Sequence, residues 1–213
     1  LAAGHWHWNG LLTPKGRVIA LFALARLAAD RFLLVLPDVP ADEFAAALQR
    51  FVFRRKVVLD HGTGLVAAAG PAPADGLTPD ALREDGARIA LDWSGDAARR
   101  TLWLLPAGDP ALAPAGAGSD DAWTRADLAH GLPRLPASQR EAWTPQMLSL
   151  ERLGAFSLSK GCYPGQEIVA RTHYLGQAKR GLARLRGEGL SAGLELRAGD
   201  TPVGTIACAL PDG

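Results

Sequence analysis

Residues 160–167 read Lys-Gly-Cys-Tyr-Pro-Gly-Gln-Glu, and no other stretch of the chain restricts the backbone as tightly. Two glycines and a proline surround one of only two cysteines, so the chain must turn here. The run Gln166-Glu167-Ile168-Val169-Ala170-Arg171 follows at once and reads as the start of a helix. Pro164 suits the first helical position, which would set Cys162 close to the free amide groups of that helix. The helix N-terminus and Lys160 both favour a thiolate over a thiol. Cys162 therefore reads as a nucleophile, a redox-active thiol or a labile metal ligand, whereas Cys208, in the alternating stretch Ile206 to Leu210, reads as core.

The neighbours of Cys162 carry two readings each. Tyr163 can stack on a flat ligand and donate a hydrogen bond, or pack as a loop residue. Gln166 and Glu167 can cap the helix or hydrogen-bond a heterocycle. Glu167 and Arg171 stand four apart, which also suits a surface ion pair. From Ile168 to Gly187 there is no acid, yet Arg171, Lys179, Arg180, Arg184 and Arg186 are present. Such a stretch is a polyanion site for RNA phosphates or a polycarboxylate tail, or else a solvated face.

The rest of the composition removes other classes. The net charge of +1 makes no global case for nucleic acid or a membrane. No apolar run approaches the ~18–20 residues that span a bilayer, and no signal peptide is recognisable. Two distant cysteines form no disulfide framework, which points to a reducing, cytoplasmic setting. Zinc-type Cys/His spacing is absent and His5 with His7 lacks a third ligand, so no metal site is expected. The chain opens at Leu1 in what reads as a strand, and its true N-terminus is expected to lie upstream.

Periodicity supplies the elements. His5 to Trp8, Arg17 to Ala25 and Phe32 to Leu36 form a meander, with turns at Thr13-Pro14-Lys15-Gly16 and Asp30-Arg31. Pro40-Ala41-Asp42-Glu43 opens a helix whose buried face is Phe44, Leu48, Phe51 and Val52. Strands are predicted at Val57–Leu59, Leu65–Ala69, Arg88–Trp93 and Thr101–Leu105, with a short helix from Thr78 through Leu82 and Glu84. This βαββαβ order over about 30–106 suggests a ferredoxin-like unit. Ala107–Asp120 reads as a linker. Helices follow over Ala122–His130 and from Thr144-Pro145-Gln146, and short strands of a small barrel or sheet over 179–208.

The octapeptide, with Ile-Val-Ala-Arg171, Gly176 and Lys179-Arg180 behind it, closely resembles the signature of the YgfZ family, folate-binding relatives of the glycine cleavage T-protein. Lys15-Gly16-Arg17 resembles the family's KGR turn, Gly131-Leu132-Pro133 its GxP, and Thr144-Pro145-Gln146 with Leu150 its PQ stretch. The resemblance implies an α+β, T-protein-like fold with ferredoxin-like α+β domains and a small C-terminal β-barrel. The expected division is 1–29 plus 107–178, 30–106, and 179–213. It implies a cytoplasmic accessory protein that binds tetrahydrofolate or another folate and supports iron–sulfur proteins or their assembly factors, including tRNA-modifying enzymes, with a weak tRNA contact and no membrane. Cys162 and Lys160 would do the chemistry; Tyr163, Gln166, Glu167 and Arg171 would shape the folate site. The alternatives are a tetrahydrofolate-dependent aminomethyltransferase and an RNA-binding module. Aminomethyltransferases carry carboxylates at positions that fall here on Ala20 or Leu21 and on Ala129, which weighs against the first.

Overall fold

A computed structural model describes residues 1–62, 64–95, 98–112, 119–176 and 178–210. The chain is an α+β protein built on antiparallel sheets. Strands β1 (His5–Leu12), β2 (Val18–Arg26) and β3 (Phe32–Val35) form the expected meander, in the order β1-β2-β3. Its register places Trp6 opposite Ala25 and Trp8 opposite Ala23. The small partners leave room for the indoles, and all four side chains are buried. Trp93 stacks on Trp6 with ring centroids 5.0 Å apart and meets Trp8 edge-on at 4.8 Å. Each such pair adds about 0.5–1.5 kcal/mol beyond burial.

The other face of the meander is covered by helix α1 (Ala41–Gln49), whose Phe44 packs edge-on against Phe22 at 4.9 Å. The predicted face is only partly realised. Leu48 is half-buried, but the helix ends at Gln49 and Phe51 is 48% exposed. Phe51-Val52-Phe53 are poor helix formers with no buried groove to fill. The strand predicted at Val57–Leu59 is irregular; none of the described strands pairs with it, and Val58 is 90% exposed.

The second sheet has the order β4-β7-β6-β5, from β4 (Leu65–Gly70), β5 (Leu82–Asp85), β6 (Arg88–Asp92) and β7 (Thr101–Pro106). The helix predicted across Thr78–Glu84 is thus a turn at Pro79-Asp80 that leads into strand β5 from Leu82. Asp80 sits at φ +59°, and the main chain from 80 to 82 pairs with β1 instead: Trp6 donates its N–H to the Asp80 carbonyl and Leu82 donates to that of Gly4. That pairing joins the two sheets edge to edge. The order over 30–106 is accordingly β-α-β-β-β-β, with β3 in the first sheet and the last four strands in the second.

Helix α2 (Ser119–His130) ends as predicted at Gly131. The N–H of Gly131 returns to the Leu128 carbonyl and that of Leu132 to the Asp127 carbonyl, which closes the helix end. Residues 113–118 of the predicted linker lie outside the described residues. The helix expected from Thr144 is a run of turns followed by a 3-10 helix at Leu150–Leu153, because Ser149 adopts φ +51°. Helix α3 (Gln166–Leu175) follows the octapeptide, and β8 (Glu195–Ala198) pairs with β9 (Thr201–Thr205) as a hairpin. The stretch Leu182–Leu185 is irregular, and Cys208 lies beyond β9, half-buried. Among the described residues no helix is long and apolar enough to cross a membrane.

Candidate functional site

The octapeptide is held at both ends. At its N-terminal side the Ser157 hydroxyl accepts the N–H groups of Ser159 (3.3 Å) and Lys160 (3.2 Å), and the Tyr163 hydroxyl donates to the Ser157 carbonyl at 2.9 Å. At its C-terminal side Gly165 caps α3 at φ +79° and presses on the turn between β1 and β2. A methyl group built on Gly165 would meet the Thr13 carbonyl oxygen at 2.5 Å and the Gly16 Cα at 2.7 Å. One built on Gly16 would meet Cβ of Ile168 at 2.9 Å. The KGR turn and the octapeptide are therefore two halves of one backbone contact. Val169, 1% exposed, anchors the first turn of α3 in the core, and its carbonyl accepts the Gln146 amide at 3.0 Å.

Cys162 projects from this clamped loop as an exposed free thiol. Pro164 precedes the Gly165 cap rather than opening the helix, which corrects its predicted position. Lys160 Nζ lies 4.9 Å from the centre of the Tyr163 ring, so its charge is shared with that aromatic face. Tyr163 is half-buried, and burial pushes its hydroxyl above the ordinary phenol range. The Gln166 side chain donates back to the Lys160 carbonyl at 3.3 Å. Lys160, Cys162, Tyr163 and Gln166 thus share one loop and helix start. Glu167 and Arg171 instead face each other on the exposed side of α3, with N···O at 3.6 Å. Lys179, Arg180, Arg184 and Arg186 are exposed. The described residues contain no cluster of three or more metal-ligating side chains.

Two features escape sequence reasoning. An open groove of about 420 Å³ lies beside the C-terminal half of α3, lined by Gln146, Ser149, Glu151, Arg152, Thr172 and His173. His173 Nδ1 and a Glu151 carboxylate oxygen are 3.5 Å apart across it. The Gln146 amide oxygen is buried without a hydrogen-bond partner. These residues come from a turn, a 3-10 helix and α3, so no local spacing announces them. The second feature is Asp127, 1% exposed on α2. Its carboxylate receives Arg100 at 2.8 Å and lies 3.5 Å from Arg134, which itself binds Asp38 at 2.6 Å. Burial pushes the Asp127 carboxyl above its ordinary value, against the pull of Arg100 and Arg134. One signal was present: Asp127 falls four residues after Trp123, on the inward side of α2.

Fold and loop together define a class: α+β proteins that carry a free, exposed cysteine on a glycine- and proline-shaped turn at a helix start. No family model matches the chain. Curated relatives do. The tRNA-modifying protein YgfZ of Edwardsiella ictaluri is 32% identical, across 94% of this chain and 67% of that protein. The protein of the same name from Colwellia psychrerythraea is 30% identical, across 79% of this chain and 56% of its own length. That of Vibrio vulnificus is 26% identical over 84% of this chain. The chain belongs to the YgfZ family. It spans 56–67% of the length of the first two of these relatives.

Proposed function

We propose that this protein acts in tRNA modification, as a folate-binding accessory of iron–sulfur cluster assembly or repair, with Cys162 as its functional thiol. The observation that carries the reading is the presentation of Cys162. An exposed sulfur stands on a loop braced by Tyr163, Gln166 and the Gly16–Gly165 contact, so its position is set before any partner arrives. The names of the relatives supply the tRNA-related context. The α+β architecture is compatible with a T-protein-like arrangement, in which 1–29 plus 107–178, 30–106 and 179–213 are the three parts and the β8–β9 hairpin belongs to a C-terminal barrel.

The side chains around α3 suit a folate. Gln146, with its orphaned buried oxygen, and the Glu151 carboxylate are acceptors for a pterin's amino edge, and Arg152 is a cation for the glutamate tail. Gln166, Glu167 and Arg171 stand further toward the start of the same helix, and Tyr163 stands on the loop before it. Bound tetrahydrofolate would supply a reduced pterin and a one-carbon acceptor. The protein's own part is to hold Cys162 exposed on a braced turn that also carries Lys160 and Tyr163. Aminomethyl transfer is the weaker reading, because Ala20 and Leu21 are buried in strand β2 and Ala129 offers no proton carrier.

The test has two arms. Cells whose only copy carries Cys162→Ser are expected to lose thiolated tRNA nucleosides; wild-type levels would reject the role of the thiol. With purified protein, tetrahydrofolate is expected to slow alkylation of Cys162, and an unchanged rate at saturating folate rejects the coupling of groove and thiol.

A further inference from the structure

A second exposed segment takes no part in that site. After α1 the chain runs Arg50-Phe51-Val52-Phe53-Arg54-Arg55-Lys56-Val57-Val58. Phe51 is 48% exposed, Phe53 84% and Val58 90%. Arg50, Arg54, Arg55 and Lys56 are all exposed, and among the described residues none of them is ion-paired. Several other arginines, Arg31, Arg88, Arg100, Arg134 and Arg140 among them, each hold a carboxylate, whereas Arg180, Arg184 and Arg186 are exposed in the same way. No acid occurs between Glu43 and Asp60. In a chain of net charge +1 this is a local concentration of unpaired positive charge, interleaved with bare aromatic rings.

We propose that Arg50–Val58 is a contact site for single-stranded RNA, an inference that rests on the tRNA-related reading above. Cations that track a phosphate backbone, beside aromatic faces on which unpaired bases stack, are what single-strand binding requires. An anionic membrane fits less well. It calls for an amphipathic helix with one apolar face, whereas this segment is not helical and its phenyl rings alternate with other residues. A purely acidic peptide would use the four charges and leave the rings idle.

The experiment is a fluorescence-anisotropy titration of the full chain with a labelled oligouridylate of about 12 nucleotides. Four phosphate contacts give a slope of log K against log salt of about −2.8, so affinity is expected to fall roughly 50-fold between ~50 and ~200 mM salt. Phe53→Ala is expected to weaken binding about tenfold with the slope unchanged. Arg54→Gln with Arg55→Gln is expected to flatten the slope by about 1.4. All three residues are solvent-exposed, so the fold should survive these changes. The proposal is overturned by absence of oligouridylate binding, by variants that bind like wild type, or by a neutral Phe53→Ala together with equal affinity for duplex RNA. Binding only to phosphatidylserine vesicles overturns it too. Failed RNA binding with intact folate protection of Cys162 rejects this site alone; retained RNA binding without that protection rejects the folate reading alone.

Discussion

Gly165→Ala tests how the thiol-bearing loop is held. Gly165 caps α3 at φ +79°, a left-handed conformation that costs an alanine ~1–2 kcal/mol. The added methyl would also stand 2.5 Å from the Thr13 carbonyl oxygen, 2.7 Å from Gly16 Cα and 2.9 Å from Gly16 N. These are main-chain atoms of a tight turn, so no side chain can swing aside. Relief requires the β1–β2 turn or α3 to shift, an overpacking cost of about 1–3 kcal/mol. The lower entropy of the unfolded alanine chain offsets roughly 0.4–1 kcal/mol of this. The net loss is about 2–4 kcal/mol, which at ~2–4 °C per kcal/mol for a chain of this size lowers Tm by roughly 5–15 °C. Gly161→Ala is the matched control within the same octapeptide. A methyl there meets nothing within 4 Å and the backbone is not left-handed, so its effect should stay within about 0.5 kcal/mol. Thermal unfolding followed by circular dichroism compares the two variants with wild type, and the alkylation rate of Cys162 well below Tm reports the loop itself. A Gly165→Ala protein that melts within about 1 °C of wild type, or a Gly161→Ala protein that falls equally far, would refute the contact as the anchor.

Asp127→Ala strips Arg100 of its buried partner and is expected to cost about 3–5 kcal/mol in urea unfolding. Because burial holds the Asp127 carboxyl above 3.8, the folded state keeps that proton to higher pH than the unfolded chain. Its contribution to stability therefore falls as pH rises from about 3.8 through the raised value, a component that Asp127→Asn should abolish in a stability–pH series. Tyr163→Phe removes the 2.9 Å bond to the Ser157 carbonyl and is expected to cost about 1 kcal/mol and to speed proteolysis between 157 and 165. It should also delete the late component of the spectrophotometric tyrosine titration, since Tyr163 ionises above 10.0. A thiol reagent should label Cys162 well before Cys208, which is half-buried and whose thiol burial pushes upward; a single fast phase of two thiols would contradict this.

What could be read from the sequence was whatever short-range chemistry decides. The period-2 strands β1, β2 and β3, the Gly131 helix stop and the octapeptide turn all depend on residues a few positions apart, and the structure has them close to where they were expected, with β1 running on from Trp8 to Leu12. Two of the misreadings share a cause. Thr78-Pro79-Asp80 looks like a helix start, but a distant strand edge at Gly4 and Trp6 takes its hydrogen bonds. Val57-Val58-Leu59 has strand composition, but a strand exists only with a neighbour to pair with. The groove beside α3 and the Asp127 network are assembled from separate segments, and only the Trp123–Asp127 spacing on α2 leaves a local trace. The Gly16–Gly165 contact belongs to both kinds. Each glycine is visible locally as a turn residue, yet only the fold reveals that Gly165 lies against the main chain of Thr13 and Gly16, and Gly16 against Ile168 of α3. The two motifs that carry the family resemblance are thus first a packing unit. Cys162 owes its fixed, exposed position to that unit, and any chemistry at the thiol inherits its geometry from a backbone contact at the other end of the octapeptide.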